Sequence, residues 1–90
     1  MRQLAELSGI GKAALRDFEL LGVHSVPKLA QCDADELYHR LCELTGQRQD
    51  PCVYDVLRCA IEQARDPELE PEKRKWWYWS KVRKAQGPVL

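Results

Sequence analysis

Two glycines bracketing one isoleucine, in Leu7-Ser8-Gly9-Ile10-Gly11-Lys12-Ala13-Ala14, constrain this chain more than any other stretch. Glycine tolerates positive φ and carries no side chain, so Gly9 and Gly11 permit a tight turn and let a ligand approach the backbone closely. Ile10 between them is placed to point inward and anchor the turn. Lys12 opens a run of good helix formers, Lys12-Ala13-Ala14-Leu15-Arg16, whose first free N–H groups and positive dipole end face whatever the glycines admit. An anion suits that end of a helix. No third glycine follows and no strand pattern precedes, so the P-loop and dinucleotide fingerprints are missing and nucleotide binding is not expected. A plain helix-to-helix turn is the competing reading of the same residues.

Around that turn, apolar residues recur at helical spacing nearly throughout, while strand alternation and hairpin-type turn pairs are lacking. The chain is therefore expected to be all-α. A short first helix over about residues 2–7 places Leu4 and Leu7 inward. A second over about 12–21 buries Ala14, Leu15, Phe18 and Leu21, and Gly22 stands at a left-handed C-cap position before apolar Val23. Ser25-Val26-Pro27 predicts a single-turn connector helix. Asp33 as N-cap and Glu36 at capping-box spacing begin a helix that buries Leu37, Leu41 and Leu44 and ends at Gly46. Asp50-Pro51 starts the next, to about residue 65, with Val53, Val56, Leu57, Ala60, Ile61 and Ala64 as a broad apolar stripe; it should be the central helix. Residues 1–65 are the expected core domain, 66–84 an acidic loop and Trp-rich segment packing on it, and 85–90 a frayed tail.

Ninety residues make one domain at most, and no apolar run approaches the length of a membrane span. The N-terminal residues are too polar for a signal peptide, so a cytoplasmic protein with no membrane contact is expected. Cys32, Cys42, Cys52 and Cys59 form no Cys-x-x-Cys pair and His24 and His39 stand apart, so a zinc site is not expected and the cysteines read as small buried hydrophobes. No His, Cys or carboxylate constellation supports an enzyme.

Charge is segregated along the chain. Residues 1–72 hold eight Lys/Arg against fourteen Asp/Glu, whereas residues 73–90 hold six Lys/Arg and no acid. That basic end carries Lys73-Arg74-Lys75-Trp76-Trp77-Tyr78-Trp79, with every tryptophan of the protein. Aromatics interleaved with cations can stack on bases while the charges follow phosphates. A small helical body is also short of buried surface, and indoles folded back on it would supply a large apolar area. Burial of Trp76 or Trp77 is the favoured expectation.

The pattern hydrophobic-x-Gly-hydrophobic-Gly-Lys-Ala between two short helices resembles the helix-hairpin-helix motif of DNA-binding proteins, which clamps backbone phosphates. Taken with Leu20-Leu21-Gly22-Val23-His24-Ser25-Val26, Glu36-Leu37-Tyr38, Leu41-Cys42, Arg58-Cys59-Ala60 and Lys75-Trp76-Trp77-Tyr78-Trp79, the chain is similar over about residues 3–80 to the pathogenicity-locus family of small bacterial helix-hairpin-helix proteins, some labelled mitomycin resistance protein. The resemblance implies a compact five-helix double helix-hairpin-helix, or SAM-domain-like, fold with a C-terminal aromatic closure, and a DNA-binding role in repair or damage resistance. It also implies a monovalent cation held by the turn carbonyls and no other cofactor. Where that family often has proline this chain has Ser8, which loosens the turn and bears on affinity more than fold.

On this reading Gly9, Ile10, Gly11 and the N–H groups of Lys12 and Ala13 hold a DNA phosphate. Lys12 and Arg16, one helical turn apart, flank it, and Arg48 adds a contact from the segment Thr45–Gln49, a degenerate copy of the hairpin with one glycine. No side chain is placed to read base edges, so weak, sequence-independent binding is expected. The alternative is a SAM-like adaptor that binds a protein partner through its acidic body and basic aromatic end.

Overall fold

Local start and stop signals account for most helix boundaries. The computed structural model describes residues 2–86, and among them places five α-helices and no strand: α1 Lys12–Leu21, α2 Val26–Ala30, α3 Ala34–Thr45, α4 Pro51–Arg65 and α5 Trp76–Ala85. Short 3-10 turns occupy Leu4–Glu6 and Pro71–Arg74. Ser25, Asp33 and Asp50 each accept a hydrogen bond from an N–H in the turn that follows, starting α2, α3 and α4. Gly22 and Gly46 close α1 and α3 at φ values of 76° and 70°, a conformation that favours glycine.

α4 is the centre of the molecule. It touches α2, α3, α5 and the 3-10 turn 71–74, while α1 packs on α3. Leu57, Ala60 and Ile61 face a core formed with Phe18, Leu29 and Leu41, and Tyr38 meets Tyr54 edge to face with ring centroids 6.0 Å apart. The radius of gyration is 12.2 Å.

A second row on α4, spaced by four residues, is polar: Asp55, Cys59 and Gln63 are all buried. Each fastens a different part of the chain. Asp55, fully buried, accepts two hydrogen bonds from the Arg83 guanidinium of α5 at 2.9 and 3.0 Å, and that pairing raises the Arg83 pKa. The Cys59 thiol points to the Lys73 carbonyl at 3.8 Å, which also accepts from the Trp79 indole N–H at 2.8 Å. Gln63 holds the glycine turn.

Several expectations are corrected. The first helix is only a 3-10 turn at Leu4–Glu6, although Leu4 and Leu7 are buried as expected. Ala14 and Leu15 are half-buried. Leu44 is 55% exposed because it lies in the last turn of α3, beyond the point where Leu41 enters the core. Cys59 is buried, Cys32 and Cys42 are half-buried and Cys52 is exposed. The aromatic closure uses neither tryptophan expected. Trp77 is 47% exposed and Trp76 half-buried, while Trp79 is 8% exposed. Helical period puts Trp79 on the same face of α5 as Ser80 and Arg83, both directed at α4, and Lys73 gives its N–H an acceptor. The Arg58 guanidinium covers the outer face of its ring at 4.8 Å. α5 continues to Ala85; the rest of the expected frayed tail, 87–90, lies outside the described residues.

Arginines also bond carbonyls at helix ends. Arg40 donates to Leu21 O at the end of α1, Arg65 to Ala30 O and Cys32 O at the end of α2, and Arg2 to Gln63 O and Ala64 O at the end of α4. Each cation thus meets orphan carbonyls and the negative end of a helix dipole.

Removing one member of the buried ion pair leaves the other charge without compensation. Arg83→Ala should cost about 3–5 kcal/mol in denaturant unfolding, and Asp55→Leu combined with Arg83→Met far less. Trp79→Ala should cost about 3–5 kcal/mol, whereas Trp77→Ala should leave the unfolding midpoint nearly unchanged, since its ring is solvent-facing.

Candidate nucleic-acid interface

The two glycines of the turn do different work. Gly9 sits at φ 82°, which a side chain would strain. Gly11 has φ −101° and ψ −169° as the N-cap of α1, an extended conformation open to any residue. A Cβ built on Gly11 meets nothing within 4 Å. Of the two glycines that could take positive φ only Gly9 does, so the backbone conformation calls for glycine at position 9 and not at position 11.

No side chain caps α1. Leu15 N–H is the first to bond back, to Gly11 O at 3.0 Å, so the N–H groups of Lys12, Ala13 and Ala14 precede the helical ladder. The turn that presents them is fixed from behind by the Gln63 side-chain amide: Ser8 N–H donates to its Oε1 at 2.9 Å and its Nε2 donates to Ser8 O at 2.9 Å. Sequence reasoning missed Gln63, although a glutamine four residues after Cys59 and beside Ala60 and Ala64 is an uncommon polar group in a buried helix. Ile10 packs against the core as expected, and its N–H bonds to Leu7 O at 3.3 Å. The Leu7 carbonyl accepts from the Ile10 N–H and the Ser8 carbonyl from Gln63 Nε2, so each keeps one lone pair beyond its bond within the fold.

Of the other predicted residues, Lys12, Ala13 and Arg16 are exposed on the first turns of α1. The 3.6-residue period sets Lys12 and Arg16 together on one face and Ala13 and Asp17 on another. Arg48 is not joined to the turn; it stands in the loop before α4 beside the Tyr38 hydroxyl, which donates to Gln49 O. Gly46 in that loop is the C-cap of α3. Six of the eight arginines serve the fold: Arg2, Arg40, Arg65 and Arg74 on carbonyls, Arg83 on Asp55 and Arg58 on Trp79. Arg16 makes none of these contacts.

On the Ala13 side of α1 the turn opens into an apolar groove of about 360 Å³. Gly9, Gly11 and Ala13 form one lip, Val53 and Val56 of α4 lie opposite, and Trp76 and Cys52 complete the wall. Asp17 is its one carboxylate; burial lifts its pKa above the usual range, against the pull of Arg16. Cysteine chemistry is not favoured. Burial pushes the Cys59 thiol up to about 11, and the Asp50 carboxylate beside Cys52 raises that thiol as well, so both stay protonated at neutral pH.

Gln63→Ala should destabilise the protein by about 1–3 kcal/mol, the cost of leaving paired backbone groups unsatisfied, and should speed amide exchange at Ser8 and Ile10. Gly9→Ala should cost about 1–2 kcal/mol, while Gly11→Ala should leave the midpoint nearly unchanged; thermal melts of the three variants make the comparison.

The comparisons with known proteins agree with one another. The model of the pathogenicity locus family (Cdd1) matches residues 1–85. A Streptomyces lavendulae protein named mitomycin resistance protein McrB is 35% identical over 81 residues, which cover 90% of this chain and 73% of that protein. No solved structure matches the chain. With nearly its whole length matched, the chain belongs to the pathogenicity locus family.

Proposed function

We propose that the protein binds DNA through backbone phosphates, without reading sequence, and that residues 4–21 act as a helix-hairpin-helix. The observation that carries this reading is Gly11. The preferred N-caps are Ser, Thr, Asp, Asn and Gly, and of these all but glycine bond the free N–H groups through a side chain. A Cβ at this position would meet nothing within 4 Å, and the position holds glycine, the cap that leaves those amides free and lets an anion approach them closely. Gly9 shapes the turn, Gln63 holds it, and Lys12 and Arg16 supply charge-assisted contacts on either side of one phosphate spacing. Arg48 adds charge from the neighbouring loop.

The net charge of −6 in residues 1–72 opposes a long DNA track and keeps the contact local, which implies weak affinity. Phosphate contacts of this kind position a protein on DNA and carry no base information. The Streptomyces lavendulae relative is named a mitomycin resistance protein, and we propose the same setting for this chain.

Fluorescence anisotropy with labelled duplexes of unrelated sequence tests the reading. Dissociation constants on the order of 10⁻⁴ to 10⁻⁶ M are expected at low salt, and log K should fall with log salt at a slope of about −2 to −3 for two or three phosphates. Gly11→Ser should keep or slightly raise thermal stability, since Gly and Ser caps differ by roughly a few tenths of a kcal/mol. Its binding should drop about tenfold, the worth of one charge-assisted hydrogen bond. Lys12→Glu should bind less still while remaining folded. Equal binding by all three proteins would remove the turn from the interface, and no binding by any would leave the adaptor reading.

A further inference from the structure

The groove beside the turn has chemistry that phosphate binding does not use. Gly9 and Gly11 belong both to the anion-facing turn and to the groove lip, so a strand whose phosphate lay on the α1 amides would have its own sugar and base at the groove mouth. We infer that the groove takes an unpaired nucleobase of that strand, with its ring stacked against Trp76. The inference rests on the phosphate reading above and deepens it: the preferred DNA would carry a base that is free to leave the helix.

Three features favour this occupant. The first is the wall. Trp76 is half-buried, and Trp77 meets it edge to face at 5.9 Å, which leaves a supported indole at an opening otherwise lined by valine, alanine and glycine. Any base has a π-face to offer such a surface. The second is Asp17. An ionised carboxylate only accepts hydrogen bonds, so it repels phosphate from the interior and matches the amino groups of adenine, cytosine or guanine. The third is the disposition of charge. Lys12 and Arg16 stand on the other face of α1, and Lys75 lies over the Trp77 ring at 5.7 Å, so cations flank the groove and the interior stays apolar. A paired base is held in its stack and cannot enter; a bulged one pays little to leave. A volume of about 360 Å³ lies within the range of small-ligand sites.

Two labelled duplexes, identical except for one unpaired adenine, supply the test. The full protein should prefer the bulged duplex by about 5- to 150-fold, the range that stacking one base on an aromatic side chain supplies, and for Trp76→Ala the ratio should fall to about one. A measurement on the unaltered protein covers a folding defect in that variant. Cys52 is exposed on the groove wall and Cys59 is buried, so the bulged duplex at saturation should protect Cys52 from N-ethylmaleimide, read by peptide mass, while the blunt duplex at equal occupancy should not. If both duplexes bind equally, or the preference survives Trp76→Ala, or Cys52 reacts alike in both complexes, the base subsite is overturned and the phosphate reading stands. If neither duplex binds, the phosphate reading fails and the subsite fails with it.

Discussion

The buried polar row Asp55, Cys59 and Gln63 on α4 is the constraint on which the other elements depend. Its members are one helical turn apart, so they form a single face opposite the apolar stripe of the same helix. The apolar stripe gathers α2 and α3 by hydrophobic burial, which is non-directional and tolerates sliding. The polar row acts differently. Asp55 accepts only a donor in the position of Arg83, and Gln63 accepts and donates only where Ser8 presents both backbone groups. These bonds fix where α5 and the N-terminal turn dock and at what rotation. Buried groups of this kind cost free energy whenever a partner is missing, so they penalise alternative packings.

The same logic explains why so basic a chain end does not make a basic arm. Arg83 is held by Asp55, and Arg74 reaches the Leu69 carbonyl. The indole of Trp79 lies under Arg58, with its N–H on Lys73 O. The segment is an ordered helix whose inward face is aromatic and charged at once. Lys81 and Lys84 remain on the outward face with Trp77. The six positive charges of residues 73–90 therefore divide between holding the fold and facing solvent.

Within the turn, the contrast between its glycines separates architecture from surface chemistry. Gly9 is fixed by backbone conformation, since φ 82° excludes ordinary side chains. Gly11 is under no such demand, and nothing lies within 4 Å of the Cβ it lacks. A side chain at that position would change the surface and not the fold, which is why the phosphate proposal rests on that residue.

Sequence alone determined what is local. The bounds of α1, the N-caps Ser25, Asp33 and Asp50, the left-handed caps Gly22 and Gly46 and the apolar stripe of α4 follow from propensities and periodicity that act over one or two turns. The inward positions Leu4, Phe18, Leu37 and Leu41 are legible for the same reason. Tertiary structure decided which tryptophan is buried, because the choice of Trp79 depends on a carbonyl at Lys73 and a cation at Arg58 that no local pattern announces. It decided that Leu44 and Cys52 stay exposed, since a helical stripe does not say where the neighbouring element ends. It brought Gln63 to Ser8 across 55 residues and set Trp76 beside Gly11. A sequence motif can mark the turn that faces a ligand; the groove next to it exists only after α1, α4 and α5 have docked.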